Sequence, residues 1–248
     1  MNIETKSLAS NEEKNNRVKL LNLLKTCPIP DNEQLFNLGI FQKRQDLTKQ
    51  LFFNDLYQKI KNIHGVIFEF GVRWGQNLVT LNNLRGIHEP YNHSRKIIGF
   101  DTFSGFNNID DKDGSHSIIK EGAFSVTDNY EKYLEEILLS HENECPVSHI
   151  KKNFVVKGDA PKMLEKYLND HPETIISFAY FDFDVYEPTK KCLELIKPHL
   201  TKGSIIGFDE LNDPDFPGET VALKESLGLN NVSIKRSQYS GIQSYFEF

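Results

Sequence analysis

Apolar side chains recur along this chain in two different rhythms, which divide it near residue 63. In the first part they return every three to five positions, as on helices with one buried face. This rhythm predicts helices at residues 11–25 and 43–60. The buried face of the second helix is predicted to consist of Leu47, Leu51, Leu56 and Ile60. Residues 1–62 are therefore predicted to form a helical N-terminal extension.

From residue 63 onward, short runs that are apolar at nearly every position alternate with amphipathic segments. Such runs are typical of parallel strands covered on both faces. The five runs are VIFEF, KIIGFD, NFVVKGD, TIISFAYFDFD and GSIIGFDE, and VSIKRSQY and IQSYFEF follow as a predicted antiparallel hairpin. Alternating strands and helices predict an α/β fold with a mostly parallel sheet in a second unit, residues 63–248.

Acidic side chains stand at the carboxyl end of every predicted parallel strand. They are Glu69, Asp101, Asp159, Asp182, Asp184, Asp209 and Glu210. In open α/β sheets ligands bind outside these strand ends, so the acids predict a binding edge. The loops 107–117 and 211–220 follow such ends and are predicted to act as lids.

The stretch FEFGVRWGQN, residues 68–77, shows what this edge binds. Gly71 and Gly75 permit a tight turn, and the helix after them presents unpaired N–H groups. The spacing lacks the G-x-G pair of a pyrophosphate-binding turn, and Glu69 would repel a pyrophosphate. S-adenosylmethionine (SAM) has a cationic amino group and a sulfonium but no phosphate, so it is the predicted cofactor.

Further residues at the same edge complete the predicted SAM site. Asp101 is placed to accept hydrogen bonds from both ribose hydroxyls, and Asp159 is placed near the adenine. Arg73 either pairs with the methionyl carboxylate or is a surface charge on the first helical turn. The remaining members of the predicted set are Thr102, Gly158 and Ala160.

A second acidic set predicts a divalent cation. If the fourth and fifth strands are neighbours, Asp182 faces Asp209 and Glu210 across about 5 Å. Carboxylates this close repel one another unless protons or a cation intervene, and oxygen ligands suit Mg²⁺, Mn²⁺ or Ca²⁺. The alternative is that these acids cap helices or are solvated.

Composition narrows the partners. The net charge of −6 disfavours nucleic acid and anionic membranes as partners. No apolar stretch reaches the roughly 20 residues of a membrane span, and the first residues lack the apolar segment of a secretory signal. Three cysteines without a C-x-x-C pair predict unpaired thiols and a cytoplasmic location. The sequence also allows a homo-oligomer.

Several motifs together resemble the macrocin O-methyltransferase family. They are E-x-G-V-R-W-G, F-D-T-F-S-G-F, K-G-D-A, D-F-D-V-Y-E-P-T and F-D-E, within about residues 65–225. The resemblance implies a class I SAM-dependent enzyme that methylates sugar hydroxyls with a divalent metal, Mg²⁺ or Mn²⁺. It implies Asp182, Asp209 and Glu210 as metal ligands. The family commonly has Asp-Asp where this chain has Asp209-Glu210.

The same resemblance implies a substrate and a mechanism. The insertion D-P-D-F-P-G-E-T is similar to that of surface-polysaccharide enzymes, which act on nucleotide-linked sugars. The expected substrate is a GDP- or dTDP-linked deoxyhexose or heptose, used for capsule, lipopolysaccharide or natural-product glycans. Asp184 or Asp182 would take the hydroxyl proton, and Asp184 is favoured because the metal would engage Asp182. The predicted substrate contacts are Arg44, Tyr186 and Phe216, and Tyr186 is predicted either to shape the pocket or to pack.

Two other functions compete with this interpretation. A catechol-type, metal-dependent O-methyltransferase would have a lysine three residues after the first aspartate, where this chain has Val185. A methyltransferase-like binding module without catalytic activity would not need the intact acid set.

Overall fold

The computed structural model describes residues 8–248, which form one sheet covered by helices on both faces. The strands are β1 (Val66–Phe70), β2 (Ile97–Asp101), β3 (Asn153–Lys157), β4 (Ile176–Phe181), β5 (Leu200–Phe208), β6 (Lys235–Arg236) and β7 (Ser244–Glu247). The helices are α1 (Asn11–Lys25), α2 (Asp31–Asn37), α3 (Arg44–Ile60), α4 (Gln76–His88), α5 (Tyr130–Asn143), α6 (Ala160–Asp170), α7 (Tyr186–Ile196) and α8 (Gly218–Ser226). Residues 1–7 of the predicted extension lie outside the described range.

The order of the strands confirms the predicted fold class. The seven-stranded sheet has the order β3-β2-β1-β4-β5-β7-β6. Strands β1 to β5 are parallel, and β7 runs antiparallel to β5 and β6. The order reverses between β1 and β4, which is where open α/β sheets place their ligands. Strands β4 and β5 are neighbours, as the prediction of the acid cluster required.

A row of stacked phenylalanines crosses the sheet just below its carboxyl edge. Phe70 lies 5.3 Å from Phe100 and 4.7 Å from Phe181, between ring centroids, and Phe181 lies 5.2 Å from Phe208. All four side chains are fully buried. They are followed in the sequence by Gly71, Asp101, Asp182 and Asp209. The packed rings therefore form a rigid base for the polar residues at the strand ends.

The buried face of the N-terminal helix α3 contains two of the four predicted residues, Leu56 and Ile60, but not Leu47 and Leu51. Its buried residues are Phe52, Phe53, Leu56, Tyr57 and Ile60. Leu47 and Leu51 are 44% and 38% exposed. The five-residue step from Leu51 to Leu56 turns a helix by about 140° relative to its starting face, so these leucines point away from the sheet.

The structure also contains helices that the sequence did not predict, among them α5 and α8. Helix α8 occupies the end of the loop predicted at 211–220. None of the helices within residues 8–248 combines the length and apolarity that a bilayer crossing requires.

Candidate active site

A cavity of about 850 Å³ opens at the carboxyl edge of β1, β2, β4 and β5. Its far wall is formed by α1 and the segment before it, which contribute Leu8, Glu13 and Arg17. Most of its charged lining is acidic, and its basic residues within the described chain are Arg17, Lys49 and Arg73. The predicted binding edge and the N-terminal helices thus enclose one site.

Most of the predicted cofactor residues lie on one side of this cavity. The lining includes Gly71, Arg73, Asp101, Thr102, Asp159 and Ala160. Glu69, Gly75 and Gly158 do not line it. The structure thus brings together the residues predicted to meet the ribose and the adenine, and it leaves these three outside the lining.

Asp101 is held in place by two backbone N–H groups. Arg73 N donates to its Oδ2 at 2.7 Å, and Phe103 N donates to its Oδ1 at 2.5 Å. Burial raises the pKa of Asp101, and these two hydrogen bonds oppose the shift. A carboxylate has about four acceptor positions, so each oxygen retains one for a ligand hydroxyl. This geometry suits a ribose diol.

The two glycines of the E-x-G-x-x-x-G stretch are required by close packing. Gly71 has φ +90°, and a Cβ there would lie 1.9 Å from the carbonyl oxygen of Asp182. Gly75 has φ +79° at the start of α4, and a Cβ there would lie 2.3 Å from Leu134 Cδ1. Only glycine tolerates both constraints, because other residues avoid positive φ and need space for Cβ. Gly71 therefore lets the β1 end pass close to the β4 end, and Gly75 lets the start of α4 pass close to α5.

Glu69 is a fully buried carboxyl group without a hydrogen-bond partner among the described residues. Burial, followed by the nearby charge of Asp182, raises the pKa of Glu69 well above the ordinary value, and the nearby Asn77 amide opposes the shift. A buried, unpartnered carboxyl group costs free energy unless a donor or cation meets it. The cationic amino group of SAM is a positively charged hydrogen-bond donor of the kind that could pair with this carboxyl group.

We expect ligand-free Glu69→Gln to have a higher free energy of unfolding than the native sequence, and we expect this difference to grow as the pH rises. Above about pH 4.3 the unfolded chain loses the Glu69 proton while the folded protein keeps it. Stability of the native sequence then falls by about 1.4 kcal/mol per pH unit up to the folded pKa, and Gln removes this term. Urea unfolding at pH 5 and pH 7 measures the difference.

The exposed Glu194→Gln provides the control for this prediction, since Glu194 lies on the outer face of α7. Its pH profile should match that of the native sequence. Parallel profiles for Glu69→Gln and the native sequence would show that Glu69 is ionised in both states.

On the other side of the cavity Lys49 joins two of the predicted metal ligands. Its Nζ lies 3.1 Å from Asp182 Oδ2 and 3.0 Å from Asp209 Oδ1. Burial raises the pKa of Asp182 to about 6, with Asp209 adding to the shift and Lys49 opposing it. Burial alone lowers the pKa of Lys49, but the two carboxylates outweigh it and raise the pKa. Lys49 is therefore a cation at neutral pH.

Asp209 and Glu210 are held differently, although both line the cavity. Asp209 Oδ1 also accepts the Tyr180 hydroxyl at 2.7 Å and Gln243 Nε2 at 3.0 Å. Glu210 Oε2 is buried and has no partner among the described residues. Burial and the charge of Asp209 raise the pKa of Glu210 to about 8. One ammonium thus serves two of the three carboxylates.

Asp184 lines the cavity on a strained turn that a buried glutamate supports. Its φ is +62°, in the left-handed region. Glu219 Oε1 accepts Phe183 N at 2.9 Å and Asp184 N at 3.4 Å. Burial and Glu210 raise the pKa of Asp184 well above its ordinary value. Glu219 was missed in the sequence because it falls inside a predicted loop.

The predicted substrate residues divide. Phe216 lines the cavity, and its ring lies 5.6 Å from that of His116, so the two predicted lid loops touch. Arg44 and Tyr186 do not line it. The Tyr186 hydroxyl is held by Glu225, with Lys112 and Lys190 donating to it. The arginines that do line the cavity are Arg17 and Arg73.

The donor groups on the acid side of the cavity determine whether a metal ion fits there. Asp182, Asp209 and Glu210 all line the cavity and offer only oxygen. Within residues 8–248 no group of three or more His, Cys, Asp or Glu side chains is arranged as a ready-made metal site. The ammonium of Lys49 lies between two of the donors. The donor chemistry suits a divalent cation, whereas the arrangement suits a lysine.

Two crystal structures resemble this chain over nearly its whole length. One, described as the calicheamicin methyltransferase CalS11, is 39% identical with a TM-score of 0.95, covering 100% of this chain and 99% of that one. The other, the apo structure of CalS11 described as a TDP-rhamnose 3'-O-methyltransferase, is 38% identical with a TM-score of 0.86, covering 98% and 96%.

A third structure is similar in fold alone. The O-methyltransferase NovP is 15% identical with a TM-score of 0.60, covering 81% of this chain and 79% of that one. A scan against protein-family models gave no match, and neither did a search of the curated proteins.

Proposed function

The chain belongs to the family of sugar O-methyltransferases that includes CalS11, and from this premise we propose that it transfers the methyl group of SAM to a hydroxyl group of a nucleotide-linked sugar. The relative's description as a TDP-rhamnose 3'-O-methyltransferase favours a dTDP-linked deoxyhexose within the predicted substrate class. The macrocin branch and a place in capsule or lipopolysaccharide synthesis stay predictions from the sequence motifs.

The observation that carries the proposal is that one cavity joins the SAM side to the acid side. Asp101 and Asp182 both line it, at the ends of the strands that flank β1. Bound SAM supplies an electrophilic methyl group. The chain has to hold the cofactor, orient the sugar hydroxyl toward that methyl group and accept the hydroxyl proton.

The SAM site rests on residues with unused capacity for hydrogen bonds. Asp101 keeps acceptor positions for the ribose, and the buried oxygens of Glu69 lack a donor among residues 8–248. Arg73 Nε is likewise buried without a partner in the described part of the chain, while its guanidinium group packs 4.8 Å from the Phe124 ring centroid. Asp101 and Arg73, which line the cavity, suit the diol and the carboxylate of SAM. Glu69 does not line the cavity and stays a predicted partner of the amino group.

The proton acceptor that we favour is Asp184. Asp182 accepts from both Lys49 and Asn77, whereas no ion pair involves Asp184 within the described chain. Asp184 is also fixed at the cavity wall by Glu219, through the backbone of its turn. The raised pKa of Asp184 makes its ionised form the stronger proton acceptor for a hydroxyl group, because no cation among the described residues stabilises the carboxylate.

A divalent cation belongs to the proposal as a finer step. Asp182, Asp209 and Glu210 would hold it, and Mg²⁺ or Mn²⁺ suits such oxygen donors. A bound cation would acidify a coordinated sugar hydroxyl. For such an ion to bind, the ammonium of Lys49 has to leave the space between Asp182 and Asp209.

The proposed activity can be tested by incubating the protein with SAM and separate acceptors. We expect methylation of a dTDP- or GDP-linked deoxyhexose, detected by a mass increase of one methylene group, and none of the corresponding free sugar. A catechol acceptor tests the rival enzyme class. Methylation of catechol alone would assign the protein to that class, and SAM binding without any turnover would favour a binding module.

Chelation tests the cation separately from the acceptor. We expect excess EDTA to abolish methyl transfer to the nucleotide sugar, because the sugar hydroxyl loses the cation that acidifies it. Added Mg²⁺ or Mn²⁺ should restore methyl transfer. SAM binding, measured by calorimetry in the same EDTA buffer, should persist. Full turnover by protein shown to be metal-free would remove the cation from the mechanism while leaving the methyl transfer in place.

A further inference from the structure

Lys49 reaches the acid side of the cavity from a helix outside the sheet. Helix α3 is anchored by Phe52 and Phe53, and Phe53 packs 4.7 Å from Tyr180 of β4, between ring centroids. The side chain of Lys49 is 24% exposed, and its ammonium meets Asp182 and Asp209. The backbone is thus fixed by packing, while the four-carbon stem can change rotamer.

We propose that Lys49 is an internal counter-ion that competes with a divalent cation for Asp182 and Asp209, and that it thereby sets the metal affinity of the site. The inference rests on the proposed function, in which these carboxylates hold the cation. It assigns to Lys49 a role that the family motifs, which begin near residue 65, do not include.

The balance of charge explains why the site needs such a cation. Asp182, Asp209 and Glu210 all line the same cavity, and like charges at this spacing repel. The ammonium keeps the first two together when no metal ion is bound. Since Glu210 retains a buried oxygen that has no partner within residues 8–248, one positive charge does not satisfy all three carboxylates.

The hydrogen-bond pattern leaves room for the exchange. Lys49, Tyr180 and Gln243 all use the Oδ1 atom of Asp209. Lys49 and Asn77 both use the Oδ2 atom of Asp182. Each aspartate therefore keeps its second oxygen, and both keep a neutral hydrogen-bond donor that holds the side chain after the ammonium leaves. A divalent ion brings twice the charge and can also reach Glu210.

The test is a titration of the metal-free protein with Mn²⁺. Binding is measured by calorimetry and by the decrease of the EPR signal of free Mn²⁺. We expect Lys49→Met to bind Mn²⁺ at least about tenfold more tightly than the native sequence, because the competing charge is removed while the apolar stem is kept. If Lys49→Met is insoluble, Lys49→Gln, which also removes the charge, is titrated in its place with the same expected result.

Two variants control for general charge effects. Lys59→Met changes the same helix, where the ammonium lies over the Tyr245 ring rather than in the cavity, and its Mn²⁺ affinity should match that of the native sequence. Lys49→Arg keeps the charge and should stay within a few fold of the native sequence.

Unchanged or weaker Mn²⁺ binding by both neutral variants of Lys49, with SAM binding intact, would overturn the proposal. So would the absence of Mn²⁺ binding by both the native protein and these variants. Neither result bears on methyl transfer, which the acceptor assay measures independently. Conversely, tighter Mn²⁺ binding in a protein that methylates no sugar would support the counter-ion and remove the proposed function.

Discussion

Replacing Asp182 with Asn is expected to lower kcat/KM for methyl transfer by about a hundredfold or more, while SAM affinity changes little. Removing one group that stabilises developing charge in a preorganised site typically costs this much. Asp182 is shared by Lys49 and Asn77 and lies directly after the buried Phe181, so asparagine fits the same space. Initial rates with a nucleotide sugar and calorimetry with SAM measure the two effects.

Asp170→Asn is the matched control for this substitution. Asp170 pairs with Lys166 on the exposed end of α6, and its replacement should leave both measurements unchanged. An active Asp182→Asn enzyme would exclude the acid cluster from the reaction. Loss of SAM affinity in the same variant would show instead that the substitution disturbs the neighbouring cofactor side.

The strands and the acids at their ends could be predicted because both are encoded locally. Each phenylalanine of the stacked row is followed at once by a residue of the site, as in Phe100-Asp101 and Phe181-Asp182. The strands are apolar because both faces of the sheet are buried, and polar residues begin where each strand ends at the cavity. The fold class and the acidic side of the site follow from this local pattern.

Lys49 and Glu219 could not be predicted, because their roles depend on tertiary packing. Lys49 is 133 positions from Asp182, and nothing in the pattern of α3 distinguishes it from Lys59, the other lysine of that helix. Glu219 begins to act only once α8 packs beside the turn after β4. Arg44, the predicted substrate contact, lies on the same helix as Lys49 but does not line the cavity.

Tyr186 shows how a motif can point away from the site it marks. It stands in the D-F-D-V-Y-E-P-T stretch and was predicted either to shape the pocket or to pack. Its hydroxyl is bound by Lys112, Lys190 and Glu225, which belong to three different segments. It therefore connects the loop at 107–117 to α7 and α8, beside the cavity rather than in it.

Asp101→Ala is expected to weaken SAM binding by about 30- to 100-fold, which corresponds to roughly 2–3 kcal/mol. The substitution removes the acceptor proposed for both ribose hydroxyls and leaves the N–H groups of Arg73 and Phe103 unpaired. The free energy of unfolding should therefore fall as well, so calorimetry with SAM has to be done at a temperature where the variant is folded.

The SAM affinity of Asp101→Asn, which keeps one acceptor oxygen, should lie between that of the alanine variant and that of the native sequence. The exposed Asp128→Ala should bind SAM with native affinity. Native SAM affinity in folded Asp101→Ala would place the ribose elsewhere, and tight NAD binding without SAM binding would overturn the cofactor itself.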